Sequence, residues 1–403
     1  MPEVEFVNLF AVAAIALAAP LLIAFAPPAL RIPAVVLEIV AGIVVGPSVL
    51  GWVDADLPVQ IVSLLGLAFL LFLAGLEIDV HRLRGPGLRT ALLGYAATVL
   101  IGLAVGTGFG LAGWVASPLL VAITLSATSL GLVVPVLKDS GRLGGALGQT
   151  VVAASSVADF AAVLLLSLLF STAEGSTASR VLLLVMFVLV VALAAAALLL
   201  TERSTRLGDA VVRLQDTTAE IRVRGAVVLL VAFVALAEAF GLESILGAFL
   251  AGVVVGLLDR NTSSHPRFRV KLEAIGYGFL IPVFFVTSGI RLDLTGLLDD
   301  PAALARVPLF LAALLAARGL PALLYARQFD RRSVLAAALL QATSLPFIIT
   351  ATQIGVLTGL MSPVTAAALV CAGLLSVLVF PASAVALLRV PDREPAVQKA
   401  EGP

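Results

Sequence analysis

The chain has 403 residues, of which 61% are hydrophobic and only 12% charged, with 25 basic and 25 acidic side chains in balance. A mean hydropathy of +1.14 excludes a soluble globular domain and indicates a polytopic membrane protein. A neutral chain offers no basic face to nucleic acid, and the single cysteine, Cys371, excludes an internal disulfide framework.

Apolar runs predict an all-α protein of thirteen transmembrane helices. In chain order they are 6–26, 32–50, 58–78, 87–113, 116–138, 143–171, 179–201, 221–240, 242–258, 270–290, 304–326, 331–357 and 363–389. The second and ninth are short and glycine-rich, and 201–224 is the one long polar connection. The acidic start MPEVEF lacks a basic n-region, so the first run is expected to be a span and not a cleaved signal. Lysine and arginine gather in alternate loops, leaving only Arg180, Arg291 and Arg306 in the others. That bias places the N-terminus outside and the C-terminus in the cytoplasm, in a prokaryotic plasma membrane. The residues beyond Arg389 are expected to form a short cytoplasmic tail without a regulatory domain.

Three motifs recur in the same order. Ala41–Gly46 (AGIVVG) returns as Ala251–Gly256 (AGVVVG), Gly75–Asp79 (GLEID) as Gly289–Asp293 (GIRLD), and Ala127–Leu130 (ATSL) as Ala342–Leu345. The offsets are 210, 214 and 215 residues, which carry the second, third and fifth spans onto the ninth, tenth and twelfth. An odd shift of spans turns the second copy upside down. The expected organisation is therefore two inverted-topology repeats, 1–172 and 221–390, with a linker span and loop at 173–220 and a tail at 391–403. Many secondary transporters are built this way, with their site near the midplane where the halves meet.

Both ATSL copies fall mid-span, and each is followed by a proline, Pro135 and Pro346. Hydroxyls that compete for backbone hydrogen bonds, together with prolines that remove a helical N–H, predict two discontinuous helices. The breaks are expected near Thr128–Ser129 and Thr343–Ser344. Broken ends expose carbonyls to cations and amides to anions. Kinked but continuous helices are the alternative.

The sixth span, GQTVVAASSVADFAAVLLLSLLF, holds one ionisable residue near its middle, Asp159. A charged aspartate at that depth costs about 2.5–3.5 kcal/mol on insertion scales, so the site needs a proton, a cation or a polar cavity. Ser155 and Ser156 lie one turn earlier on the same face, and hydroxyls beside a carboxylate are hard-oxygen ligands suited to alkali cations. The bland alternatives are a permanently protonated carboxyl that ties helices together and serines that only pack. Arg318 is the one basic residue well inside a span. It is either a fixed charge on the broken-helix assembly or a snorkelling anchor. Glu77 and Asp79, beside His81 and Arg82, read as an inner-surface charge cluster, and Glu38 as a partner for Arg31. His81 and His265 read as solvated loop residues. No phosphate-cradling loop, zinc-ligand spacing or nucleophile elbow is present, so neither an enzyme nor a cofactor is expected.

The segments LEIVAGIVVGPSVLG (37–51), LLFLAGLEID (70–79), ATSLGLVVPVLKDSG (127–141), SSVADFAAVLLL (155–166), LGAFLAGVVVG (246–256) and FLIPVFFVTSGIRLDL (279–294) resemble the monovalent cation:proton antiporters of the sodium/hydrogen exchanger fold. The resemblance runs from about residue 6 to 389. It implies two crossed broken helices in a core domain, and a dimerisation domain. Relatives carry Asp-Asp or Asn-Asp, whereas this chain has Ala158-Asp159. Asp159 matches the ion-carrying aspartate, and ARGLP makes Arg318 the counterpart of the family's basic residue. A single aspartate implies electroneutral exchange, one proton per cation, although Ala158 leaves the partner of Arg318 open. QATSLPFII lacks the Gly-Glu pair of glutathione-gated potassium efflux relatives, and no C-terminal nucleotide-binding domain is expected.

The expected mechanism is competition at Asp159, with Ser155, Thr128, Ser129 and break carbonyls as co-ligands. Proton and cation exclude each other there, and alternating access serves pH homeostasis. The expected partners are membrane lipid, the cation (sodium, with lithium or potassium as alternatives), the proton and a second copy in a homodimer. A sodium-coupled symporter of a small organic solute is the rival reading.

Overall fold

The computed structural model describes residues 6–25, 33–78, 86–170, 177–202, 220–260 and 266–389. Arg31, Asp79, His81, Arg82, His265, most of the 201–224 connection and the tail lie outside them. In chain order the helices are α1 (Val7–Phe25), α2 (Ala34–Val45), α3 (Leu57–Leu76), α4 (Pro86–Leu111), α5 (Pro118–Thr124) and α6 (Leu130–Asp139). Next come α7 (Ala146–Leu169), α8 (Thr177–Glu202), α9 (Ile221–Ala239), α10 (Ser244–Arg260), α11 (Pro266–Ile275) and α12 (Ile281–Ile290). The last five are α13 (Leu294–Asp299), α14 (Pro301–Gly319), α15 (Arg331–Gln341), α16 (Pro346–Leu357) and α17 (Pro363–Arg389). A π-helical turn, Gly276–Leu280, joins α11 to α12, and a 3-10 stretch, Leu320–Tyr325, extends α14. Among the described residues no strand occurs, and nine helical segments are long and apolar enough to cross a membrane.

Local chemistry explains where these helices start. Asp56, Ser117 and Asp300 each precede a helix with proline in its first turn, and each side chain accepts a backbone N–H from that turn. Proline gives up a donor that has no helical acceptor there, and the cap satisfies another. Asp330 caps α15 by accepting from the N–H groups of Arg332 at 3.0 Å and Ser333 at 3.4 Å. Hydrogen bonds from Ser333, side chain and backbone, hold the Asp330 carboxyl below the usual carboxylate range. Its contribution is therefore present above the unfolded value near 4 and disappears as the pH falls through the lower folded value. Asp330→Ala is expected to lower stability by about 1 kcal/mol at neutral pH, a deficit that melting curves should show shrinking in acid.

Most helix packing falls within two groups, which meet across a shared apolar core. In the first, α3 lies against α10 and α12, and α2 against α1 and α12. Its core contains Phe69, Phe72, Phe249, Phe284 and Phe285, all buried. The second gathers α4, α5 and α7, and the set α14, α15 and α17, around Tyr95, Val151, Ala158 and Leu340. The repeated glycines sit at the crossings of the first group. A Cβ on Gly42 would overlap the Val286 carbonyl, and one on Gly289 the Ile39 carbonyl. At the other crossing, a Cβ on Gly75 would overlap the Phe249 carbonyl, and one on Gly252 that of Phe72. Gly42 and Gly252 hold the same place in one motif, Gly75 and Gly289 in another. Each motif thus packs against the other motif of the opposite copy, as a two-fold relation between inverted repeats requires.

The two ATSL segments are interruptions. Residues 125–129 separate α5 from α6, and 342–345 separate α15 from α16. Pro346 is the first residue of α16, as expected of a proline that restarts a helix. Pro135 instead lies inside α6, so proline does not open the first break.

Candidate functional site

Asp159 lies in the middle of α7 and reaches the first break. Its Oδ1 accepts the Thr128 N–H at 3.0 Å and its Oδ2 the Leu130 N–H at 3.4 Å. Leu130 begins α6, and the N-cap residue Ser129 offers no side-chain cap of its own. Asp159 therefore caps a helix from a different helix, where unpaired amides and the positive end of the helix dipole favour a negative charge. The break exists at this place because a carboxylate meets its freed amides, which explains why no proline is needed.

The Ser129 N–H donates to the Thr343 carbonyl at 2.9 Å, joining the two breaks backbone to backbone. At the second break Ser376 of α17 accepts the Ser344 N–H at 3.2 Å, and its proton faces the carbonyls of Gly373 at 2.7 Å and Ser344 at 3.0 Å. Ser376 stands from Asp159 at nearly the interval that separates the motif copies. One break is thus served by a carboxylate and the other by a hydroxyl, so only one copy carries charge.

Arg318 is 2% exposed, in the last turn of α14. Nε donates to Thr128 Oγ1 at 2.8 Å and to the Gln341 carbonyl at 3.3 Å, Nη2 also donates to Thr128 Oγ1, and Nη1 donates to Thr98 Oγ1 at 3.4 Å. Among the described residues these hydrogen-bond partners are all neutral oxygens. Gln341 ends α15, where the negative end of the helix dipole favours a cation. Its side chain donates to Tyr325 OH at 3.1 Å. With Ala158 buried on the neighbouring helix, Arg318 ties Thr128 of one break to the carbonyl at the edge of the other.

That bonding removes one expected ligand. Thr128 Oγ1 donates its proton to the Gln341 carbonyl at 2.7 Å and receives two N–H groups from Arg318. A hydroxyl has one proton and two lone pairs, so this one has none left for a cation. Ser155 differs: it is fully buried and its Oγ has no hydrogen-bond partner. An orphaned buried hydroxyl costs about 1–3 kcal/mol, which a hard cation reaching it would relieve. Ser156 on α7 and Ser129 at the first break are buried as well, as are Thr343 and Ser344 at the second break.

A cavity of about 60 Å³ leads to Asp159 along the seam between the two helix groups. Thr128, Ser129, Glu77 and Tyr277 line it with Asp159, and Leu71, Phe249 and Phe347 form apolar wall. Glu77 thus lines this cavity as well as standing 3.7 Å from Arg269 in the charge cluster at the end of α3. Its neighbours Asp79, His81 and Arg82 masked that in the linear chain, and only the pairing of α3 with α10 shows it. Gln341, beside the second ATSL, and Thr98 were also overlooked, though a polar group in an apolar span is the signal for both. Glu38 is buried in α2. A second cavity, of about 160 Å³, lies further along α16, lined by Ser288, Arg291, Asp293, Thr352 and Gln353 among others. There Gln353 Nε2 donates to Ser288 Oγ at 3.4 Å, linking α16 to α12.

Comparison with known proteins adds to this geometry. The family model described as "Sodium/hydrogen exchanger, transmembrane" matches residues 13–390. YjbQ of Bacillus subtilis, provisionally named an Na(+)/H(+) antiporter, is 33% identical over 356 residues, covering 83% of this chain and 56% of that protein. The Na(+)/H(+) antiporter of Enterococcus hirae is 31% identical over 270 residues, covering 65% and 67%. The chain therefore spans little more than half of the first relative's length. Among solved structures, the sodium proton antiporter MjNhaP1 from Methanocaldococcus jannaschii at pH 8 superposes with a TM-score of 0.64 over 94% of this chain and 98% of that one. At 18% identity, that likeness speaks for the fold alone.

Proposed function

Because this chain belongs to the sodium/hydrogen exchanger family, we propose that it exchanges a monovalent alkali cation for protons across the membrane, with Asp159 carrying one or the other. The observation that carries this reading is the position of that carboxylate: held by two amides at a broken helix, at the end of a cavity between two helix groups. A carboxylate there takes a proton or a cation, and either guest repels the other. Ser155 Oγ, Glu77, Ser129 and carbonyls at the break complete the oxygen set, in keeping with alkali-cation chemistry. Thr128 acts by aiming its N–H at Asp159, under the grip of Arg318, whose charge compensates the helix ends.

Translocation is movement of the group holding α5–α7 and α14–α17 past the glycine-locked group, within the two-repeat division at 1–172 and 221–390. It closes the cavity at Asp159 and opens a path from the second cavity, where Gln353 and Ser288 part. The N-terminus lies outside, and a homodimer in lipid holds the locked group still. Asp159 is the one acidic residue of α7, which supports one proton per cation. A cavity of about 60 Å³ is far below the ~300–1,000 Å³ of sites that enclose organic ligands, which speaks against solute symport.

Reconstitution into liposomes with a pH dye inside tests this directly. Addition of sodium, lithium or potassium outside acid-loaded vesicles is expected to alkalinise the lumen, independently of an imposed membrane potential. Sodium-driven solute uptake without proton movement would reject antiport, and voltage-dependent steady-state exchange would reject the one-for-one ratio.

A further inference from the structure

Glu77 follows the last residue of α3, where the negative end of the helix dipole favours a cation beside it. Arg269 is the cationic group found there. One Glu77 oxygen, Oε1, lies 3.7 Å from Nη2 of Arg269, while the other, Oε2, is buried without a hydrogen-bond partner in the wall of the Asp159 cavity. Arg269 stands on α11 and is held more closely by Glu273 one turn along, Nε to Oε1 at 2.8 Å. Lys271 faces elsewhere, two residues on, and is bonded to Glu220 at 2.8 Å. Among the described residues the local set is thus two carboxylates sharing one guanidinium, which is itself about half exposed.

We propose that Arg269 is a tethered competitor of the transported cation. It divides its guanidinium between Glu273 and Glu77, and the division sets how readily the cavity mouth accepts an alkali ion. Glu273 draws Arg269 aside and leaves Glu77 Oε2 open; Arg269 leaning onto Glu77 closes it. Arg269 and Glu273 are positioning residues, acting through Glu77, and the proposal rests on the reading that the Asp159 cavity admits the cation.

The two carboxylate partners make the test directional. Arg269→Gln removes the competitor and is expected to lower the KM for sodium about two- to fivefold, the weight of a partly exposed ion pair. Glu273→Gln releases Arg269 onto Glu77 and should raise KM over a similar range of about two- to fivefold. The double variant should follow Arg269→Gln, because Glu273 acts only through the arginine, and Arg269→Lys should stay near the parent. Proton flux in proteoliposomes gives KM and the maximal rate separately. Sodium-dependent thermal stabilisation in detergent, against choline, gives an affinity order independent of transport. KM moving the same way in both single variants, or a fall in rate at constant KM, would overturn the proposal. If the parent shows no cation-driven flux, the antiport reading itself fails. If the parent exchanges, Asp159→Asn does not, and KM fails to split, only the role of Arg269 is lost.

Discussion

Asp159→Asn is expected to abolish cation-driven proton movement, leaving the flux of protein-free liposomes, while the purified protein should melt close to its parent. The amide neither binds a proton reversibly nor carries charge for a cation, so both guests lose their seat together. Stability is another matter. Asparagine keeps an oxygen for the Thr128 N–H at 3.0 Å, and it turns an amide nitrogen toward the Leu130 N–H, whose bond at 3.4 Å is the longer. Losing that weaker bond while relieving a partly buried charge should leave the fold within about 1 kcal/mol of the parent. Flux and a melting curve on the same preparation check both halves, and residual exchange by a folded Asp159→Asn protein would remove the carboxylate from the mechanism.

The second large effect is expected at Arg318. Arg318→Leu strands the Thr128 hydroxyl's lone pairs and leaves the Gln341 carbonyl only the Thr128 proton, where a buried cation now serves both. Hydrogen bonds to a charged group contribute about 1.5–3 kcal/mol each, so a loss of about 3 kcal/mol or more is expected, with exchange lost as the breaks separate. Arg318→Lys separates charge from shape. An ammonium keeps the charge but lacks the fork that grips Thr128 with two nitrogens. It should recover part of the melting temperature and leave sodium affinity weakened, because the Thr128 N–H is no longer held toward Asp159. Full recovery of both by lysine would show that charge alone is needed.

The spans, the two interruptions and Asp159 were legible in the chain because each breaks a local rule. An aspartate in an apolar helix and paired hydroxyls repeated in register both contradict their surroundings. The partners of Arg318 were not legible, since Thr128 lies 190 residues away and the Gln341 acceptor is a backbone carbonyl, which any residue carries. The first break falls where the hydroxyl pair Thr128–Ser129 put it, but Pro135 has no part in it: the proline lies inside α6, and Asp159 on another helix meets the freed amides. Glu77 was read with its chain neighbours as a surface cluster, and only the packing of α3 against α10 puts it in the cavity wall. Sequence reveals local conflict well, and it is silent about which distant group resolves it.

The π-helical turn at Gly276–Leu280 has a geometric effect that reaches beyond its own five residues. Such a turn accommodates one residue more than an α-helix would, and each residue is worth about 100° of rotation about the axis. The extra residue therefore fixes the angular phase between α11 and α12. While α12 presents Gly289 to α2, α11 is dialled round to present Arg269 and Glu273 to the end of α3. In a continuous α-helix Arg269 would point about a quarter-turn away from Glu77.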